Sequence, residues 1–589
     1  VKTHRFALLG LTAATFLLAF WAFGRVDPHY YYTVGVRSMA SSWHAFFFGA
    51  FDPAGTISVD KVPGSLWLQA LSVRVFGFHT WAVLLPSALA VAATVPVLFA
   101  AVRLWIGSRA GLIAAAVFAL TPVTVVLARV NIPDTFLVLC MVCAALATSK
   151  AVKDGRWPQL LIAAVWIGVG FQMKMTQAFL VLPALGIAYL VTAPGGFLSR
   201  LGRVSAAGVV ALAVSSLWLV FVALTPVGSR PYVDGSTHNS VWEMALLYNG
   251  FGRFSSGAAT TAQVSSFLAD FGGSPGLFRL FNAEVAVQIS WLLPLALVAV
   301  VVGFVKRPRD SGVILWSTWL LVHVVLFSAA PGIHPYYTAA LAPAIAALTA
   351  YAIHVDSRLA WLGIVWPVVL CVREGLGWLA IVLVAGALVA LVARLRAVAV
   401  VALVAGPGAV AVLASGKTFD GLTSLNPVAG QGSPLSHAGM AAMHGLPSDT
   451  PFPPGMGDMN MITPNAGVLR YVTQNHARER YLFAVPTANT AAPYLRAGYS
   501  VLPMGGFTGA AAVPSIVELQ ELVRSGQLRH VLIGGFHGGM GGSVSIERQE
   551  WVAKNCAPVP ATEYQGASGS SGPPGHPELL FDCRPGGSR

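Results

Sequence analysis

The chain has 589 residues, 56% hydrophobic and only 10% charged, with a mean hydropathy of +0.70. Soluble globular chains carry roughly 25% charged residues, so most of this one is excluded from an ordinary water-soluble fold. The net charge of +13 does not argue for a nucleic-acid partner, because the basic residues sit in short loops between apolar runs and no basic stripe with interleaved aromatics occurs.

The first apolar run, residues 6–24, follows Lys2, His4 and Arg5 as a signal peptide would. Arg25-Val26-Asp27-Pro28 offers no small-residue cleavage site, so the run reads as a retained first span with a cytoplasmic N-terminus. Further apolar runs fall near 81–103, 110–129, 135–150, 158–173, 177–193, 205–225, 288–305, 313–329, 338–354, 359–372, 376–393 and 397–416. They predict about thirteen spans across a bilayer core of about 30 Å. Alternate loops carry Arg103 and Arg109; Lys150, Lys153 and Arg156; Arg200 and Arg203; Lys306, Arg307 and Arg309; Arg358; and Arg394 with Arg396. All fall on the predicted cytoplasmic side, as the positive-inside rule requires. An odd number of spans then puts the C-terminal part outside.

The opposite side holds the chemically richer segments. A first external loop, residues 25–80, contains Asp27, Asp52, Asp60 and Lys61, with Asp60-Lys61 just before an amphipathic stretch at 66–76. A second, residues 226–287, contains Arg230, Tyr232, Asp234, His238, Asn239, Tyr248 and Asn249. Short turns add Asn131-Ile132-Pro133-Asp134, Lys174 and His334-Pro335-Tyr336-Tyr337. Lys174 alone suits a snorkelling group. Several ionisable residues mapping to one face suit a substrate path better.

After residue 416 the composition turns to Gly, Pro, Ser, Thr and Asn. The expected organisation is therefore a membrane domain at 1–416, an irregular linker at 417–465 and an extracytoplasmic domain at 466–589. In the last part, strand-like runs at 481–486, 501–504, 530–533 and 579–582 alternate with helix-like runs at 490–497, 513–526 and 545–555. That pattern predicts a small α/β domain with a mainly parallel sheet. The Gly-rich run at 534–542 lacks a Gly-Lys-Ser/Thr ending and reads as a turn rather than a phosphate cradle. Cys140, Cys143 and Cys371 lie in apolar runs as small buried residues. Cys556 and Cys583 can pair if the tail lies outside the cytoplasm.

A carboxylate outside the bilayer can act as general base, and a Lys or Arg can stabilise charge developing on a phosphate. These residue types suit sugar transfer from a lipid phosphate. A transporter or lipid flippase would also carry intramembrane charges, but no internal repeat of the kind transporters show is visible. A divalent cation could sit beside the acidic loop, although no His/Cys/Asp spacing requires one.

The segment Tyr31-Tyr32-Thr33-Val34-Gly35-Val36-Arg37-Ser38-Met39, with Ser42-Trp43-His44, Phe46-Phe47-Phe48-Gly49, Phe51-Asp52-Pro53-Ala54-Gly55 and Val59-Asp60-Lys61, resembles the first external loop of a bacterial membrane glycosyltransferase family. That family is related to protein O-mannosyltransferases and to the aminoarabinose transferase acting on lipid A. The resemblance continues at Ser229-Arg230-Pro231-Tyr232, Gly235-Ser236-Thr237, Asn239-Ser240, Tyr248-Asn249-Gly250, His334-Pro335-Tyr336-Tyr337 and Gly505-Gly506-Phe507-Thr508-Gly509. It implies a mainly α GT-C fold: a transmembrane helix bundle with external loop helices. It further implies a polyprenyl-phosphate sugar donor, inversion at the anomeric carbon and a lipid, glycan or protein acceptor.

The resemblance matches Asp60-Lys61 to an acidic residue followed by Lys-Pro-Pro, and Asp134 to an Asp before the fourth span. Val62, Gly64 and His29 depart from the family pattern. The base is therefore left among Asp27, Asp52 and Asp60. Lys61 with Arg230 is expected to face the lipid phosphate, and Asp134 to hold the sugar or orient Lys61. Lys174, Tyr232, Asn239, Tyr248, Asn249, His334, Tyr336 and Tyr337 complete the expected substrate-binding set.

Overall fold

A computed structural model describes residues 2–250, 272–393, 396–419, 421–430, 463–534, 542–564 and 578–584. The glycine run after residue 534, Arg394 and most of the expected linker lie outside the described residues. The chain forms two compact units, each assembled from three separate stretches. The first is Val1–Asp27, Leu84–Leu217 and Val264–Met440; the second is Pro28–Val83, Trp218–Gln263 and Ala441–Arg589.

The first unit is helical because a backbone in hydrocarbon must bond its own N–H and C=O groups. Among the described residues of the whole chain, eight helices are long and apolar enough to cross a membrane. A ninth arises if Ser108–Ala119 and Pro122–Ala128, bent by 58°, form one span. Pro122 at the start of the second piece supplies no backbone N–H, which fits the break between them. Three shorter apolar helices, Leu359–Arg373, Gly377–Val389 and Val400–Ser415, follow. The expected count of about thirteen spans is therefore not reproduced: among the described residues eight or nine helices meet the length and composition of a span, and the last three apolar runs form shorter helices.

The apolar stretch Pro158–Thr192 would be a rod of about 52 Å if straight, well beyond a bilayer core. It does not run straight. Met175 has φ +51° and ψ −137°, and a Cβ built on Gly155 would lie 3.3 Å from Pro194. The two ends of the stretch are therefore neighbours, and the chain reverses just past Lys174. Helix Pro158–Lys174 packs closely on Asp134–Asp154 because both faces are small: a Cβ on Gly170 would sit 3.3 Å from that of Cys140. That contact accounts for the buried Cys140 as packing.

The second unit begins with three short helices, Tyr30–Ser41, Trp43–Phe48 and Gly64–Phe76, in the loop expected to be external. Ser42 caps the second by accepting the Ala45 N–H, and Gly49 at φ +66° ends it. The C-terminal part carries five strands: β1 (Phe483–Val485), β2 (Val501–Pro503), β3 (His530–Gly534), β4 (Ala557–Pro558) and β5 (Glu578–Asp582), in the order β2-β1-β3-β5-β4. β1 is parallel to β2 and β3, whereas β5 is antiparallel to β3 and to β4.

The sheet is therefore mixed, not mainly parallel. The helix-crossover pattern holds for the first three strands, and β5 then returns alongside β3 in the opposite sense. Leu502, Val531, Leu519 and Phe581 form its core with Val552. Cys556 and Cys583 are joined in a disulfide across 27 residues of chain.

Candidate active site

Among the described residues, each unit holds a cluster of buried ionisable side chains that includes expected site residues, built in a different way.

In the first unit, Asp134 opens helix Asp134–Asp154 and Lys174 closes helix Pro158–Lys174. A carboxylate at a helix N-terminus and a cation at a C-terminus are each favoured by the helix dipole. The close packing of the two helices brings these ends together, with Lys174 Nζ 2.5 Å from Asp134 Oδ1 and side-chain exposures of 12% and 2%. The ammonium lies 3.9 Å from the centre of the Tyr337 ring and 5.5 Å from that of Tyr336. His334 stacks on Tyr336 at 4.8 Å, and its Nδ1 is 3.2 Å from Oδ1 of the buried Asn426. Asp134, Lys174, His334, Tyr336 and Tyr337 are thus gathered in one place, and Asn426 joins them from the stretch expected to be a linker. Asp27 also belongs to this unit, where its N–H donates to the Phe419 carbonyl at 2.6 Å.

In the second unit the cluster centres on Asp60. Its Oδ1 lies 3.6 Å from Lys61 Nζ and is buried with no hydrogen-bond partner among the described residues. Lys61 donates to the Tyr32 hydroxyl, and its ammonium is 4.5 Å from the centre of that ring. His29 stacks on the same ring at 4.2 Å. Burial, reinforced by the Lys61 charge, lowers the His29 pKa to about 3, so its imidazole is neutral at physiological pH.

The backbone around Asp60 is fixed from two sides. Asn249 Nδ2 donates to the Asp60 carbonyl at 2.7 Å, and the Asp60 N–H donates to the Tyr31 hydroxyl at 3.0 Å. Tyr31 in turn donates to Asp234 Oδ2 at 3.2 Å. Asp234 also accepts the N–H groups of Phe507 at 2.8 Å and Gly235 at 2.7 Å. Burial, with the Asp60 charge nearby, raises the Asp234 pKa to about 7.

Other expected residues sit in the same unit with their polar atoms committed to the loops. Asp52 accepts the Thr56 hydroxyl at 2.6 Å and the N–H groups of Thr56 and Ile57 at 3.0 and 3.2 Å. Arg230 donates to Oδ1 and the carbonyl of Asn239 at 2.7 and 3.1 Å, and to the Thr225 and Pro231 carbonyls. Asn239, at φ +53°, also accepts the Val233 N–H. Tyr232 pairs through its backbone with Thr56 and Ser58 and donates its hydroxyl to the Thr237 carbonyl. Tyr248 packs on Gly235, where a Cβ would lie 2.8 Å from the ring.

Sequence reasoning named Asp234 only as a loop residue and missed it as a member of this cluster. Its one local signal is the following Gly235, which turns at φ +71°. Among the described residues no group of three or more His, Cys, Asp and Glu side chains is placed to hold a metal ion.

The helical membrane bundle with external helices and a small α/β domain is the architecture of a GT-C membrane glycosyltransferase. The fold is similar to that of ArnT from Cupriavidus metallidurans bound to undecaprenyl phosphate, with 14% identity, a TM-score of 0.58 and 99% of each chain covered. It is also similar to the apo form of that protein, with a TM-score of 0.55.

Residues 60–221 match the family described as "Dolichyl-phosphate-mannose-protein mannosyltransferase". This stretch contains Asp60, Lys61, Asp134 and Lys174. Residues 468–555 match "Putative mannosyltransferase YkcB-like, C-terminal". Two Bacillus subtilis proteins, "Putative mannosyltransferase YycA" and "Putative mannosyltransferase YkcB", are each 30% identical to the chain. The alignments cover 97% of both chains for the first, and 95% of this chain and 92% of the relative for the second. The chain belongs to this family of multi-pass membrane glycosyltransferases.

Proposed function

We propose that the protein moves a sugar from a polyprenyl phosphate to a hydroxyl acceptor outside the cytoplasm, with Asp60 as general base. The observation that carries this reading is the contrast between the two candidate carboxylates of the second unit, Asp52 and Asp60. Asp52 is saturated by its own turn, whereas Asp60 Oδ1 is buried beside an ammonium with no hydrogen-bond donor on it. A carboxylate with an unused lone pair is the one able to receive a proton. The undecaprenyl phosphate bound to the ArnT of similar fold supports a lipid-phosphate donor.

In this reading the acceptor hydroxyl loses its proton to Asp60 as its oxygen bonds to the anomeric carbon. The bond from that carbon to the phosphate oxygen breaks on the opposite face, so the configuration inverts. Polyprenyl phosphate leaves, and the Asp60 proton passes to water. Lys61 stabilises the phosphate charge. Arg230, already held by four carbonyl and amide oxygens, shapes the loop, as does Asp52. The N-terminus is cytoplasmic and the α/β domain external, a placement supported by the basic alternate loops and by the Cys556–Cys583 disulfide.

The test supplies purified protein in lipid nanodiscs with a panel of polyprenyl phosphates bearing different sugars. One donor should be consumed with release of polyprenyl phosphate and appearance of a new glycoside. Release of free sugar alone, or movement of intact lipid without cleavage, would sink the proposal.

A further inference from the structure

Asp234 is buried, with 1% exposure, and accepts hydrogen bonds from three parts of the chain that are far apart in sequence. Its partners include Tyr31 on helix Tyr30–Ser41 and Phe507 in the turn after β2. Its own N–H donates to Ser58 at 3.1 Å, two residues before Asp60.

The turn at 505–507 is shaped for this contact. Gly505 and Gly506 have φ of +75° and +68°, a region that side-chain-bearing residues rarely enter. A Cβ on Gly506 would lie 2.2 Å from Asp234 Oδ1, so only glycine lets the Phe507 N–H reach the carboxylate. The Phe507 ring then meets the Tyr31 ring edge-on at 4.9 Å, and the Phe507 carbonyl accepts from Asn489, whose Oδ1 accepts the Tyr30 hydroxyl. An unbroken series of contacts thus runs from the α/β domain through Asp234 and Tyr31 to the backbone of Asp60.

We propose that Asp234 is a positioning residue: through Tyr31 it fixes the loop bearing Asp60 and Lys61 to the Gly505–Phe507 turn of the C-terminal α/β domain. The domain is thereby a working part of the site. This rests on the assignment of Asp60 as base. Asp234 itself touches no reacting atom. The ionisable groups that face it are Tyr31, Asp60 and Tyr232, and its displaced pKa is the consequence of burial beside a second carboxylate.

The experiment uses the full chain in nanodiscs with the polyprenyl-phosphate sugar selected by the donor panel, and the variants Asp234→Asn, Tyr31→Phe, their double and Gly506→Ala. Two readouts are taken: steady-state transfer, and amide hydrogen exchange of peptides spanning 57–61. The expected result is a fall in kcat of about 10-fold or more with KM for the lipid donor within about 2-fold. The double variant should be no worse than the poorer single, because both act along one path, and exchange at 57–61 should quicken in all four.

Transfer by Asp234→Asn at the wild-type rate, multiplied losses in the double, or a raised KM with unchanged kcat would overturn the proposal. If the wild type consumes no donor, the transfer reading fails separately, and exchange alone decides whether Asp234 holds the loop. Unchanged protection at 57–61 would then dispose of it.

Discussion

The two buried clusters reach a similar local composition, a carboxylate beside a lysine on a tyrosine face, by opposite routes. Asp134 and Lys174 are brought together by two helix ends, and the contact is a direct ion pair at 2.5 Å. Asp60 and Lys61 are chain neighbours at 3.6 Å whose placement depends on Asn249, Tyr31, Asp234 and Phe507. A pair made by helix packing is insulated from loop chemistry. A pair made by loops is adjustable, and every support holding it is a place where activity can be altered without touching the reacting groups.

The sharpest break of the comparison is Asp60→Asn. If Asp60 is the base, transfer per folded molecule should fall by about 10² to 10⁴-fold, and the melting temperature of the purified protein should fall as well, because Lys61 loses its buried partner. A variant that transfers normally would move the base to Asp27 or elsewhere. Next comes Lys174→Met. Removing one member of a buried ion pair leaves an uncompensated charge and destabilises by about 3–5 kcal/mol. The double variant Asp134→Leu with Lys174→Met should recover much of that loss in thermal unfolding. An additive loss would mean that the pair is not the insulated unit described here.

The third effect is in pH. The folded Asp234 pKa of about 7 lies above the unfolded carboxylate value near 4, so the folded state binds more protons between them. The contribution of this group therefore favours the fold at low pH and is lost as pH rises towards about 7. It should amount to roughly 2 kcal/mol between about pH 5 and 7, read as a decline in unfolding temperature that is shallower in Asp234→Asn. The smallest effect is expected of Asn249→Ala. It loses the side-chain bonds to the Asp60 and Met244 carbonyls, worth about 1 kcal/mol each, and should slow transfer about 5-fold without shifting the melting temperature beyond a few degrees.

The helical bundle was legible because apolar run length and loop charge are local properties of sequence. Asp60-Lys61 was legible as a motif, and Asp134 and Lys174 as charges at the ends of spans. Their pairing was not, since it depends on the reversal at Met175 and on the small Cys140–Gly170 contact, and neither leaves a periodic signal. Asp234 was hidden for a different reason: its role is set by an N–H 273 residues away and by the left-handed conformation of Gly506. The sheet was misjudged because hydrophobic alternation marks a strand but not its direction, and β4, two residues long, carries no pattern at all. Arg230 looked like a free cation only because the carbonyls that surround it belong to its own loop.

The bridge between Cys556 and Cys583 ties the neighbourhood of β4 to the end of β5. Since cytosolic thiols are kept reduced, a newly synthesised chain leaves the ribosome with that margin of the sheet still unfastened. With the α/β domain outside the cytoplasm, as proposed, its completion is tied to delivery across the bilayer, and overproduction in a strain with an impaired thiol-oxidising machinery should yield protein that is inserted but unfinished.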